Sequence, residues 1–297
     1  EAMIGTYAAE GTGRDIALRV YTSRLLGGDT RLVLHGGGNT SVKTTMTDIT
    51  GDVVDVLCIK GSGWNLGDIE PRSLPAVRLE PLQRLLGLDA LTDEEMVNVQ
   101  RANLMDSTAP NPSVETLLHA FLPHTFVDHS HADSILVLAN QPNAEALCRE
   151  IFGDFLGIVY YIMPGFALAQ AAAEAYENNP KVHGLVLINH GLFTFGETAK
   201  ESYDYHIDAV TRAENYIDKN PLKSLTPIAA PLTADKKEIL RSIGPVLRVL
   251  YRERTGASWV IHHRENESAF VLAGSEECAT WSQLGTATPD HVIRTKQ

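Results

Sequence analysis

Residues 184–195 read GLVLINHGLFTF. The apolar runs from Gly184 to Ile188 and from Gly191 to Phe195 are too short for helices, so they predict two buried strands. Asn189-His190-Gly191 marks the turn between them. Working outward, Thr125 to His131, Leu32 to Leu34, Val53 to Ile59 and Ile158 to Ile162 are further predicted strands. Helices are predicted over Arg14 to Leu26, Asp93 to Met105, Ser113 to Leu122, Ala132 to Ala139, Phe166 to Glu177 and Lys200 to Ile217. Thr92 is the N-cap of the second of these, with Glu95 completing a capping box. Strands and helices mix without a strict βαβ rhythm. The expectation is a three-layer α/β/α domain with a mostly antiparallel central sheet.

Pro221, Pro227 and Pro231 read as a connector, dividing a domain at residues 1–220 from an accessory α+β segment at 221–297. In that segment a helix is expected over Ala234 to Arg252, strands over Trp259 to His262 and Ala269 to Leu272, and a helix near Glu276 to Leu284. No chemistry attaches to it at this level. His262 and His263 read as surface.

The 297 residues are 44% hydrophobic, enough for a full core. A net charge of −12 argues against a nucleic-acid partner, since no global basic field would gather a phosphate backbone. It leaves room for a phosphorylated small molecule, which needs only local donors. Cys58, Cys148 and Cys278 are odd in number and form no CxxC pair, which argues for a reducing compartment, the cytoplasm. The most apolar stretch, Gly157 to Ala173, is broken by Pro164-Gly165 and reads as core, so no membrane partner is expected.

Chemistry concentrates in a few short motifs. In His129-Ser130-His131, residues i and i+2 of a strand face the same side, so two imidazoles can reach one ion. Alone, the pair reads more readily as two polar residues at a strand end. His190 can supply a third ligand, and three protein ligands plus an open position is the pattern of a catalytic metal site. Glu115 opens a helix and is either a dipole partner or a general base facing the metal. His119, one turn later, is either a neighbour of the ligands or a packing residue. Gly36-Gly37-Gly38-Asn39-Thr40-Ser41-Val42-Lys43 and Lys60-Gly61-Ser62-Gly63-Trp64 both combine glycines, hydroxyls and a lysine, the makings of two anion-binding turns. Neither has P-loop or GxGxxG spacing.

Taken in order, HGGGNTSVK (35–43), KGSGW (60–64), PSVE (112–115), HSH (129–131) and NHG (189–191) resemble the class II aldolase and adducin head-domain family across about residues 14 to 218. VYTSRLLG (20–27) and TPDHVIRTK (288–296) resemble, more narrowly, the aldolase half of bifunctional rhamnulose-phosphate aldolase/short-chain dehydrogenase proteins. In that subgroup a Rossmann domain follows. Residues 218–297 here carry no glycine fingerprint of one.

The resemblance implies a metal held by His129, His131 and His190, with zinc as the ion and manganese or cobalt as other divalent choices. It implies Glu115 as catalytic base, and substrate-phosphate binding by Gly38, Asn39, Ser41, Ser62, Gly63 and Ser113. The implied reaction splits or joins a ketose 1-phosphate, such as L-rhamnulose or L-fuculose 1-phosphate, into dihydroxyacetone phosphate and L-lactaldehyde through an enediolate. A 4-epimerase or dehydratase on the same scaffold, or a non-catalytic adducin-like assembly module, are the other readings. The partner is thus a small sugar phosphate, and the expected assembly a homotetramer. Fuculose-phosphate-type members have two serines before the glutamate, and Val114 departs from that pattern. The family's tyrosine, donated by a neighbouring subunit, has only Tyr160 and Tyr161 as candidates here.

Overall fold

Period-two alternation sends successive strand residues to opposite faces of a sheet, and here both faces are buried. The computed structural model describes residues 2–9, 11–221, 225–227, 236–263 and 266–295. These fall into two compact units, Glu1–Pro221 with Thr286–Gln297, and Leu222–Gly285. The first unit is built on strands β1 (Asn39–Thr47), β2 (Val53–Ile59), β3 (Ala76–Arg78), β4 (Phe126–Ser130), β5 (Gly157–Val159), β6 (Gly184–Leu187) and β7 (Gly191–Gly196). They form one sheet in the order β3-β2-β1-β4-β7-β6-β5. Every neighbour is antiparallel except the parallel pair β5–β6.

Around the sheet lie α1 (Ala2–Ala9), α2 (Arg14–Gly27), α3 (Leu79–Gln83), α4 (Asp93–Ala102), α5 (Thr116–Phe121), α6 (Asp133–Ala139), α7 (Ala144–Phe152), α8 (Phe166–Asn178) and α9 (Ala199–Lys219). Val56, Cys58, Phe126, Val186 and Leu192 point to one face, where they meet α2, α6, α7 and α9. Their neighbours Leu57, Ile59, Val127, Leu185, Leu187 and Phe193 point to the other, against α3, α4, α5 and α8. The three-layer α/β/α architecture with a mostly antiparallel sheet follows from this two-sided burial. The capping box of Thr92 and Glu95 forms as expected.

On the α2/α9 face the layers are joined by polar bonds. Arg19 of α2 pairs with Asp128 of β4, both fully buried. The second oxygen of Asp128 accepts from Ser202 of α9 at 2.5 Å. His206 of α9 bridges Ser130 at 2.6 Å and Thr194 of β7 at 2.9 Å. Burial pushes His206 down to about 4, so it sits there as neutral imidazole.

Several local expectations are corrected. Leu32–Leu34 is not a strand. Leu32 and Val33 both return their N–H groups to the Asp29 carbonyl in a turn, and the strand begins after the glycines, at Asn39. Its polar sequence hides it from a hydrophobicity reading, because the buried Asn39, Thr40 and Ser41 side chains face other polar groups inside the protein. In the second unit, α10 (Lys236–Thr255), α11 (Glu267–Ala273) and α12 (Cys278–Trp281) are helical. The strand expected over Ala269 to Leu272 is part of α11, because Asn266 caps the N–H groups of Ser268 and Ala269. Trp259 to His262 has no regular structure. Pro231 and the expected helix start at Ala234 lie outside the described residues. The division into units comes after Pro221, and the described residues from Thr286 onward, with α13 (Pro289–Thr295), group with the first unit. No helix among the described residues is long and apolar enough to cross a membrane.

Removing one partner of a fully buried ion pair leaves an uncompensated charge, at a cost of about 3–5 kcal/mol. Asp128→Ala should therefore lower the unfolding free energy by about that amount in a urea titration. The joint replacement Arg19→Met with Asp128→Leu should cost much less.

Candidate metal centre

The opposite face of β4 carries the histidines. Cross-strand register sets His129 opposite Asn39 of β1 and opposite Phe193 of β7. The His129 ring stacks on Phe193 with centroids 4.0 Å apart. His131 follows just past the strand end. His190 sits in the β6–β7 turn, which Asn189 closes in the left-handed region at φ 57, a conformation asparagine tolerates. Gly191 is needed next, since a Cβ there would lie 2.4 Å from the Ser130 carbonyl and 3.1 Å from His129 Cε1. The turn thus presses His190 against the strand, and one ligand atom from each of His129, His131 and His190 falls within 4.8 Å of the others.

Glu115 enters from the start of α5. The segment before it is tied to the KGSG turn: the Ser62 N–H donates to the Asn111 carbonyl at 2.8 Å, and the Ser113 N–H to the Lys60 carbonyl at 3.2 Å. Glu115 Oε1 lies 3.1 Å from His190 Nε2, and Oε2 lies 3.4 Å from His129 Nε2.

Proton bookkeeping shows what this cluster suits. His129 Nδ1 donates to the Leu192 carbonyl at 3.0 Å, and His131 Nδ1 faces the carboxylate of Asp290 at 2.5 Å. With Nδ1 so engaged, a neutral imidazole has its lone pair on Nε2, and these two Nε2 atoms are 3.0 Å apart. Glu115 Oε1 is buried without a hydrogen-bond partner beside them. Lone pairs converging in a buried space repel unless a cation lies among them. Three imidazoles plus a carboxylate are a donor set for a borderline divalent ion such as zinc. The residues fit a metal.

The carboxylate is held by an inner chain of hydrogen bonds. Asn39 Nδ2 donates to Glu115 Oε2 at 2.5 Å and to Ser113 Oγ at 3.1 Å. Asn39 Oδ1 accepts from His119 Nε2 at 2.5 Å, and His119 Nδ1 accepts from the Ser41 hydroxyl at 2.7 Å. Burial pushes His119 down to about 3, so this ring is neutral and passes orientation, not charge. Burial favours the neutral acid at Glu115, but the polar contacts with the imidazoles around it outweigh burial, and the carboxyl lies well below its usual range. His129 is pushed well below its ordinary value by burial and stays neutral, the form that binds metal.

The expected anion-binding residues divide into two sets. Ser62 and Gly63 are exposed on their turn. Gly38, Asn39, Ser41 and Ser113 are buried, and the side chains of the last three are spent on the chain just described. Lys43 donates to the carbonyls of His119, Leu122 and His124, closing the end of α5 and its following turn. Lys60 bridges the carbonyls of Gly36 and Trp64, joining the two glycine turns. Burial pushes its amine down to about 8, with Glu115 and Asp290 opposing. Val114 is half exposed. Tyr160 faces Glu145 and Arg149, and Tyr161 donates to Met163 Sδ, so the structure brings neither to the histidines within the chain. Of the two roles open to His119, the structure shows it beside the site, linking Ser41 to Asn39, whereas the arrival of Asp290 escapes a reading by motif. For Asp290 the available signal was the TPDHVIRTK segment, which carries it.

A family model described as Class II Aldolase and Adducin N-terminal domain matches residues 17–217, and one described as Aldolase class II, second domain matches residues 238–297. A Bacillus subtilis protein named as the uncharacterized oxidoreductase YuxG is 36% identical over 94% of this chain. The chain spans 41% of the length of that relative. A methylthioribulose-1-phosphate dehydratase from Yersinia enterocolitica is 26% identical over 43% of this chain and 72% of its own length. Among solved structures, the N-terminal class II aldolase domain of a conserved Thermoplasma acidophilum protein is 46% identical. It superposes with a TM-score of 0.65, covering 68% of this chain and 93% of that one. An aldolase II superfamily protein from Pseudomonas syringae shares the fold at 14% identity and a TM-score of 0.51, over 82% of this chain and 95% of its own.

Purified protein should carry about one divalent ion per chain by elemental analysis, the count for a single three-imidazole centre. His131→Ala and His190→Ala should each abolish that retention. Ligand imidazoles must be neutral to bind, so the ion should leave as the pH falls and return when it is raised.

Proposed function

Because the chain belongs to the class II aldolase family, with its aldolase and adducin N-terminal domain at residues 17–217, we propose that it is a metal-dependent lyase that cleaves or forms a carbon–carbon bond in a ketose 1-phosphate. The observation that carries this reading is Glu115, a buried carboxylate set within 3.1 Å and 3.4 Å of two imidazoles of the cluster. A divalent ion held by His129, His131 and His190 supplies Lewis acidity, stabilising negative charge that develops on substrate oxygens.

The chain's own residues do the rest. Glu115 takes the proton from carbon in the joining direction and returns it in the cleaving direction. Asn39 fixes the carboxylate oxygen that His190 does not face, so the other stays free to receive the proton. Ser62 and Gly63, exposed on the KGSG turn, meet the phosphate, and Gly38, Asn39, Ser41 and Ser113 shape the wall behind it. Binding energy at that remote end positions the reacting carbon. L-Rhamnulose or L-fuculose 1-phosphate, yielding dihydroxyacetone phosphate and L-lactaldehyde, are the substrates of this reading. A homotetramer with a tyrosine reaching in from a neighbouring subunit belongs to it too. The substrate class draws support from the Yersinia relative, whose name gives it a ketose 1-phosphate.

That relative also favours a second reading. The same base and ion suit elimination of water from a ketose 1-phosphate, with no carbon–carbon bond broken.

Incubation with each ketose phosphate, followed by an assay for dihydroxyacetone phosphate, separates the two. Release of the triose phosphate, lost on chelation, is the expected result. Loss of water with the carbon chain intact would overturn lyase chemistry in favour of the dehydratase. Glu115→Gln should reduce turnover by about 10²–10⁴-fold, the usual share of a general base.

A further inference from the structure

The last helix of the chain reaches the histidine cluster, although no part of it was expected there. Asp290, near the start of α13, is only 2% exposed. Its Oδ1 accepts the His131 Nδ1–H at 2.5 Å, and its Oδ2 accepts the Leu34 N–H at 2.7 Å. The carboxylate fills the concavity of the triple-glycine turn: a Cβ on Gly37 would lie 1.5 Å from Asp290 Oδ1. The segment is pinned before the helix, where Asn140 Nδ2 donates to the Ala287 carbonyl at 2.9 Å, and Thr288 Oγ1 shares a hydrogen bond with His291 Nδ1 at 2.7 Å.

An imidazole that binds a metal through one nitrogen must place the N–H of the other. The acceptor chosen sets the tautomer, the ring orientation and the basicity of the ligating nitrogen. His129 uses the Leu192 carbonyl. His190 Nδ1 is buried without a hydrogen-bond partner. Only His131 of the three meets a carboxylate at Nδ1, brought from 159 residues away. We propose that Asp290 is the positioning residue for His131, so that the segment 286–292 completes the metal centre and the triple-glycine turn is shaped to receive this intrachain carboxylate. The proposal rests on the metal-site reading above.

The test is the dissociation constant for zinc and for cobalt(II), measured on the full chain by competition with a chromophoric chelator, together with the visible spectrum of the cobalt form. Asp290→Asn keeps the shape and removes the charge. Gly37→Ala keeps the charge and displaces it. Both should weaken binding by about 10–100-fold, the usual effect of losing such a partner, and both should alter the cobalt ligand-field bands. The thermal midpoint of the metal-free protein should hardly move. If one variant fails to fold, the other decides. Wild-type affinity and spectrum in a folded variant would overturn the proposal while leaving the metal site intact. So would weaker binding that only accompanies a collapse of metal-free stability. Failure of the wild-type chain itself to take up zinc or cobalt would overturn the metal reading and this proposal with it.

Discussion

Strand β4 must serve two buried faces at once, and the rest of the molecule depends on its register. Asp128 and Ser130 point toward α2 and α9, where Arg19, Ser202 and His206 receive them. Val127 and His129 point the other way, toward the candidate centre. A slip of one residue would exchange the faces, burying imidazoles against α9 and sending a carboxylate into the apolar layer. The Arg19–Asp128 pair prevents that slip, because neither charge has another place to go. A buried ion pair is weak evidence of stability in general. Here its consequence is geometric, since it fixes which alternate residues of β4 reach the metal side.

From that register the site follows in steps. Asn39 lies opposite His129 on the neighbouring strand, so its amide can reach Glu115 on one side and His119 on the other. Phe193 lies opposite on the other neighbour and gives the His129 ring a surface to stack on. The β6–β7 turn adds His190, and α13 adds Asp290. Each imidazole thus comes from a different local device: strand, strand end and turn. Around the cluster the side chains of Asn39, Ser41, Ser113 and His119 are hydrogen-bonded, while lone pairs converge at the Nε2 atoms and Glu115 Oε1. An excess of acceptors at one point within a hydrogen-bonded interior is the electrostatic signature of a cation site.

Much of this was legible in the sequence, and the exceptions have physical causes. Buried apolar runs such as Val56–Ile59 of β2 and Gly184–Leu187 announce themselves because both faces are apolar. The strand Asn39–Thr47 does not, because its buried first half carries Asn39, Thr40 and Ser41, whose side chains meet polar partners, and its composition reads as a loop. The apolar run in Glu267–Ala273 fits strand and helix equally, and only the Asn266 cap decides it. The HxH spacing, His190 and Glu115 could be singled out from local pattern, and the structure brings them together. Ser41 and Asn39 drew attention as donors for an external anion, yet their hydrogen bonds turn inward to His119 and Glu115. Asp290 lies in the TPDHVIRTK segment that the sequence singles out, but nothing local links residue 290 to residue 131.

The account stands or falls on three histidines sharing one ion. Zinc-edge X-ray absorption of the zinc-loaded protein tests this directly. Three imidazole shells at about 2.0–2.1 Å, completed by oxygen, are the predicted result. An all-oxygen shell, or sulfur at about 2.3 Å, would contradict the assignment of His129, His131 and His190.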